Sequence, residues 1–247
     1  MSDKTSDEKE SKVFRAILNA SNLDKEAHRI PDDFVSDYEV LNNQMFDIIL
    51  NKEMDEKIKL AKLEMLIKLG CDVNVKNKDG YTPLMLASMN GELDIVRNLL
   101  DNGAKVDEYK KFVRPSYEED RLTDLALDCG YYDNLRYDTG KTALFYAVYS
   151  NHKEIAELLI QRGANVNMLD ERGKTPLMFA VQNNAYECAR LLVLNGANVN
   201  HSDDKGNKAL KIAEKEMKKV IIDAMKERNE KTKQVLFIRL KKFSIDR

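Results

Sequence analysis

The feature that most constrains this chain is a phrase that returns at a fixed interval. Asp79–Ala87 reads Asp-Gly-Tyr-Thr-Pro-Leu-Met-Leu-Ala, and Thr139–Ala147 reads Thr-Gly-Lys-Thr-Ala-Leu-Phe-Tyr-Ala. Arg172–Ala180 reads Arg-Gly-Lys-Thr-Pro-Leu-Met-Phe-Ala, and Lys205–Ala213 is a weaker copy, Lys-Gly-Asn-Lys-Ala-Leu-Lys-Ile-Ala. Gly140, Gly173 and Gly206 are separated by two equal steps of 33 residues. A unit that short cannot bury its own apolar face. It has to stack on its neighbours, so the period selects a stacked repeat over one closed core.

Each unit also closes on a second phrase. Leu99–Asp107 matches Leu158–Asn167 and Leu191–Asn200, with a looser copy at Leu66–Asn74. The local physics follows from residue type. Thr82 and Thr175 are placed to cap a helix, with Pro83 and Pro176 at the first helical position, where a missing N–H is harmless. A short helix runs to Gly91 or its equivalent. A second helix carries the Leu-Leu pairs, including Leu158-Leu159 and Leu191-Leu192, on its buried face. It stops at Gly103, Gly163 or Gly196, which suit a left-handed closing residue.

On these residues the chain resembles the ankyrin-repeat family, most clearly over Gly70–Gly103 and Asp138–Ala213. The resemblance implies an all-α solenoid of about five helix-turn-helix units. It further implies a non-catalytic protein–protein interaction module, without cofactor, whose concave face is lined by turn tips and first helices. Carried over residue by residue, the partner-binding positions are Lys76, Lys78, Tyr81 and Met89 in one unit and Asp138, Lys141 and Tyr149 in another. Leu169, Glu171, Arg172, Lys174 and Gln182 follow, then Asp204 and Lys205. Tyr81, Met89, Tyr149, Leu169 and Arg172 are side-chain types that anchor interfaces. One departure is consistent. The histidine that the family places after Thr-Pro-Leu, and that ties helix to turn by hydrogen bonds, is Met85, Phe145, Met178 and Lys211 here. Apolar contact is expected in its place.

The middle is irregular. Gly80 and Gly140 are 60 residues apart, six short of two periods. Matching Ala87–Gly91 with Ala126–Gly130 reads this stretch as two units, the second with an enlarged loop at Asp107–Arg121 and almost no second helix. At the ends, residues 1–10 lack a core-forming pattern and read as disordered. Residues 11–38 read as a helical N-terminal cap, 39–225 as the repeat domain and 226–247 as a basic amphipathic tail or cap. Leu236, Leu240 and Phe243 share one helical face, so the tail is expected to fold back over the last unit.

Net charge is −2, which gives no global nucleic-acid footprint. The distribution is uneven: Met1–Leu41 holds 6 basic and 10 acidic residues, and Lys211–Arg247 holds 12 basic and 6 acidic. The basic end carries the alternative reading, attachment to nucleic acid or membrane. Cys71, Cys129 and Cys188 are odd in number and fall at repeat-core positions, which suits reduced thiols in a cytoplasmic monomer, or in a protein delivered into a host cell. There is no signal-type segment and no long apolar run. The three histidines are far apart, and no metal or nucleophile template is present. The adjacent acids Glu118–Asp120 and Asp203-Asp204 read as solvated loop carboxylates.

Overall fold

The computed structural model describes residues 32–110 and 139–245, with side chains over 41–110 and 139–236. Residues 1–31, Cys129, Asp138 and most of the Asp107–Arg121 loop lie outside the described residues. Within them the chain forms ten helices: α1 (Asp32–Leu50), α2 (Glu56–Lys68), α3 (Pro83–Asn90), α4 (Leu93–Asp101), α5 (Ala143–Tyr149), α6 (Lys153–Gln161), α7 (Pro176–Gln182), α8 (Tyr186–Leu194), α9 (Ala209–Ile212) and α10 (Lys215–Ile245). They pair in sequence and stack in two rows. The first helices α1, α3, α5, α7 and α9 each touch the next in their row, as do the second helices α2, α4, α6, α8 and α10. The result is an all-α stack of five helical pairs among the described residues.

The local signals act as their chemistry dictates. The hydroxyls of Thr82 and Thr175 accept from the N–H of Met85 and Met178, at 3.3 and 3.4 Å. Pro83 and Pro176 occupy the first turn. Met85, Phe145 and Met178, which replace the family's histidine, are fully buried. In the first of these, the Thr82 N–H donates to Met85 Sδ at 3.5 Å, so a thioether completes the reciprocal cap. Gly91, Asn151 and Asn184 break the first helices at matching positions, all with positive φ. Asparagine tolerates that conformation better than other residues with a side chain. Gly196 closes α8 at φ 95°, as the sequence suggests.

The core is continuous from Leu41 to Ala224. In each Leu-Leu pair the second helix buries one member more deeply. Leu192 is fully buried and Leu191 half-buried; Leu159 is fully buried and Leu158 nearly so. Between units the closing phrases form a polar ladder. The Asn74 amide donates to Gly103 O and accepts from the Lys105 N–H, and Asn167 does the same with Gly196 O and Asn198 N–H. Each rung thus satisfies backbone groups left over at a helix end.

The middle of the chain differs from the two-unit reading. α3 packs directly on α5 and α4 on α6, so the units containing Gly80 and Gly140 are immediate neighbours. The hairpin before each first helix shows how. In the second unit, Asn77 N–H donates to Tyr81 O and Gly80 N–H to Asn77 O. In the third, Lys110 N–H donates to Lys141 O and Gly140 N–H to Lys110 O. Four residues separate Asn77 from Tyr81 and 31 separate Lys110 from Lys141, so this hairpin carries 27 extra residues. The ladder agrees: Asp107 accepts from the Asn165 N–H across 58 residues, where the regular rungs span 31. The unit of α5 and α6 is therefore a complete helical pair whose hairpin is split between Lys110 and Lys141. The short second helix expected between Gly130 and Gly140 lies outside the described residues. Gly140 closes that hairpin at φ 79°, and a Cβ there would meet Glu171 N at 2.7 Å, so only glycine lets the third and fourth hairpins approach.

The C-terminal segment also departs from expectation. α10 runs unbroken for 31 residues, through the all-polar stretch and on into Val235–Phe243. Met217, Ile221 and Ala224 bury its first turns, packing α10 against α8. Arg228 Nη1 donates to Val193 O at 3.0 Å, and Arg190 pairs with Glu227 at 2.5 Å. Beyond Arg228 every residue through Leu236 is exposed, with Val235 at 51% and Leu236 at 57%. The last unit is closed by its own long second helix, and the tail is an unbroken continuation of that helix, not a separate segment folded back over it.

Candidate partner-binding face

The hairpins and the row of first helices form one side of the stack. Tyr81 enters from the second hairpin and Met89 from the end of α3. Lys141 follows the split hairpin, and Tyr149 ends α5. These four positions, chosen from the sequence, converge on a single pocket of about 300 Å³. Its floor is made by three residues that the sequence reading did not select: Phe145, Tyr146 and Phe179. Tyr81 and Tyr146 meet in a tilted contact at 5.6 Å between ring centroids, and Phe145 meets Phe179 edge-on at 5.3 Å. A signal for two of them was present. Tyr146 and Phe179 hold the same place in adjacent units, where the second and fifth units have Leu86 and Ile212.

Lysines border these rings. Lys110 Nζ lies 4.0 Å from the Tyr81 centroid, and Lys141 and Lys174 lie 4.9 and 5.5 Å from that of Phe179. Lys174 also donates to Gln182 at 3.3 Å. Tyr149 stands at the rim, 58% exposed. Leu169, 44% exposed, and Glu171 lie on the fourth hairpin beside half-buried Arg172. Asp204 and Lys205 are exposed on the fifth hairpin, where the Asp204 N–H donates to Arg172 O at 3.1 Å. Lys78 is exposed at the second hairpin tip. Lys76 is set apart from the others: it pairs with Glu108 at 2.5 Å and donates to Tyr109 O at 3.0 Å, tying the second hairpin to the third. Asp138 lies outside the described residues.

A family model described as ankyrin repeats (3 copies) matches residues 56–167 and 116–203, which together cover more than half of the chain. The chain belongs to the ankyrin-repeat family. Similar proteins include Ankyrin repeat and SAM domain-containing protein 6 of Mus musculus, 34% identical over 38% of this chain and 8% of its own length. Dauer abnormal formation protein 25 of Caenorhabditis elegans is 49% identical over 19% of this chain and 12% of its own. A putative ankyrin repeat protein of Borreliella burgdorferi is 22% identical over 64% of this chain and 54% of its own. This ankyrin-repeat chain thus spans a small part of the first two and about half of the third. Ankyrin repeats are in general protein–protein interaction modules, and the family is typically non-catalytic.

The titratable groups of the stack serve its architecture. Burial pushes the Cys188 thiol up to about 11, with Glu154 and Glu187 adding to the shift, and burial raises Cys71 as well. Neither supplies a thiolate near neutral pH. Among the described residues no group of three His, Cys, Asp or Glu side chains is arranged to hold a metal ion. No described helix is long and apolar enough to cross a membrane.

Three hairpins repeat one carboxylate or amide device. Asn77, Asp170 and Asp203 each turn Oδ1 back to accept two backbone N–H groups of their own hairpin. The two acids shift in opposite directions. Burial raises Asp170, only partly offset by the N–H groups of Lys174 and Arg172 and by the Lys141 and Lys174 charges. At Asp203 burial is outweighed by the backbone and side-chain donors of Asn207 and the Lys205 N–H, and the carboxyl falls below its usual value. A raised folded-state acid favours folding when protonated, and that contribution is lost as pH rises through its folded value. Asp170→Asn keeps the Oδ1 acceptor, as Asn77 shows, and removes the buried charge. Its melting temperature at neutral pH is expected to exceed the parent's, and the gain to shrink as pH falls through the carboxylate range. Asp203→Asn is expected to lower the melting temperature at neutral pH. Parallel melting curves across pH check both signs.

Proposed function

We propose that this chain is a non-catalytic ankyrin-repeat module that binds a protein partner on the side formed by the hairpins and by α3, α5 and α7, its concave face. One observation carries the reading: residues from three successive units converge on one aromatic pocket with an exposed tyrosine at its mouth. A buried stack has no internal use for an opening of that kind. Large rigid rings contribute contact area at low conformational cost, and neighbouring hairpins present the polar rim that surrounds a binding anchor. The rows of packed helices keep the face in one shape, so the partner meets a preformed surface. Buried, reduced thiols suit action in the cytoplasm.

The rival reading, attachment of the basic C-terminal segment to an anionic surface, gains no comparable support. Lys226, Lys231 and Lys233 pair along the helix with Asp223, Glu227 and Glu230, which offsets their charge locally.

The test is capture of partners from the native organism with the intact chain and with a Tyr149→Ala, Leu169→Ala, Arg172→Ala triple variant. Tyr149 and Leu169 are exposed and Arg172 is half-buried, so helicity and melting point are expected to survive. Specific partners identified by mass spectrometry are expected to be lost. Retention of every partner by the folded triple variant rejects this face.

A further inference from the structure

We propose that the outer face of α2 is a docking site for the chain's own N-terminal segment, with residues 10–18 lying across it and closing the open end of the stack. The inference is independent of the partner-binding side and concerns the first unit.

α2 packs against α1 and α4. Its remaining side is where a preceding unit would stand, as the register of the repeat shows. Gly70, Gly103, Gly163 and Gly196 follow the second helices, so Met65 holds the place of Asn98, Leu158 and Leu191. Asn98 reaches back to Glu64 of the preceding unit at 3.4 Å, and Leu158 is buried. Leu69 holds the place of Arg162, which pairs with Asp101 of the unit before it at 2.7 Å. Terminal units of a stack need a polar outer face or a cover. This one has an apolar stripe. Ile58, Met65 and Leu69 share one helical face, and Ile58 and Met65 are each about half exposed. Later units have Gly91, Asn151 and Asn184 at the place of Ile58, and Asn102, Arg162 and Asn195 at that of Leu69. At both places the unit without a described predecessor is the more apolar.

The segment that fits this face is tethered to the same unit. The described chain begins at Asp32 on α1, and 31 residues precede it. Within them Val13, Phe14, Ile17 and Leu18 recur at helical spacing, and Glu10 falls on the same face, four residues before Phe14 and seven before Ile17. Reach is sufficient. Residues 19–31 span at most roughly 45 Å when extended, and a helix the length of α1 is about 28 Å long. Leu18 can therefore be placed anywhere along α2. Charge then matches one face to the other. Lys62 interrupts the α2 stripe at the place where later units bury Ile95, Ile155 and Cys188. Its helix neighbours three and four residues away are Ile58, Lys59, Met65 and Leu66, none of them acidic, and among the described residues no carboxylate pairs with it. An apolar stripe carrying one unpaired lysine meets an apolar stripe headed by one glutamate, at a contact partly shielded from water where such a pair is stronger than on open surface.

The experiment traps the contact in the full chain. Ile17→Cys is combined with Met65→Cys and, for comparison, with Leu236→Cys, an exposed apolar position on α10. The variants are oxidised with diamide at low protein concentration, and the bonded positions are identified by peptide mass spectrometry. A bond within one chain between positions 17 and 65 is expected to form roughly tenfold faster or more than one between 17 and 236, because docking raises the effective concentration at one site only. Val13→Cys, Phe14→Cys and Leu18→Cys repeat the test, so that one unsuitable disulfide geometry does not decide it. Independently, Phe14→Asp with Ile17→Asp in the full chain is expected to lower the melting temperature and to speed hydrogen exchange of the α2 amides, while those of α8 stay unchanged. No bond to position 65 from any of the four positions, equal rates at 65 and 236, or α2 exchange unchanged by the aspartates overturns the proposal. A bond at 65 that forms only between two copies overturns it as well and assigns the face to a second molecule.

Discussion

Replacing Lys59 by alanine is expected to destabilise the fold by about 3–5 kcal/mol, the cost of leaving a buried charge without its partner. Lys59 belongs to α2 in the first unit, and its ammonium donates to Ile49 O at 3.2 Å and to the carboxylate of Glu92, the residue that precedes α4. The two side chains are 6% and 12% exposed. Glu92 Oε2 is itself buried and has no hydrogen-bond partner among the described residues, so the pair lacks spare donors to take over. The Asn90 amide still donates to Ile49 O after the substitution, which isolates the effect to the carboxylate. Removing both charges together, Lys59→Met with Glu92→Leu, is expected to recover most of the loss, because well-packed apolar residues often replace a buried ion pair at no net cost. Urea titrations of the single and double variants measure this. A single variant as stable as the parent shows that the pair does not hold the first two units together.

The second large effect is at Leu192. It is fully buried on α8, which packs against α6 on one side and α10 on the other. Leu192→Ala is expected to cost about 2–5 kcal/mol, through lost burial and the cavity that remains. Leu191→Ala, on a half-buried neighbour, is expected to cost less than half as much. In a linear stack each layer depends on its neighbours, so the loss at Leu192 falls on two interfaces. Equal effects at the two positions contradict the packing described here.

The units were legible from the sequence because their signals are local. A threonine that caps, a proline in the first turn and a glycine that closes a helix act within a few residues, and all recur at one spacing. Met85, Phe145 and Met178 read correctly as apolar replacements for the same reason. The split hairpin was not legible. A distance of 60 residues between two glycines fits a damaged extra unit as well as one unit with an insertion, and only the pairing of Lys110 with Lys141 separates them. The polar stretch in the last helix reads as a boundary, yet it contains no glycine or proline to end a helix, and its pairs at three- and four-residue spacing support one. At the candidate site the rim was readable and the floor was not. Tyr81, Met89, Lys141 and Tyr149 vary visibly between units. Phe145, Tyr146 and Phe179 look like ordinary core residues until their rings are seen to meet. Lys59 and Glu92 lie 33 residues apart and so share a register, but their burial is a property of packing alone.

The split hairpin has a consequence for how such a chain changes over generations and in the laboratory. Its two stems are clasped by the same backbone bonds that close the uninterrupted hairpins, so the stack meets identical ends whatever lies between Lys110 and Lys141. The entropy of closing a loop grows only with the logarithm of its length. Segments of quite different size and composition can therefore be exchanged at this point with little penalty to the helical rows. The third hairpin is a natural grafting site, where new sequence is delivered beside the aromatic pocket while the architecture that displays it stays unchanged.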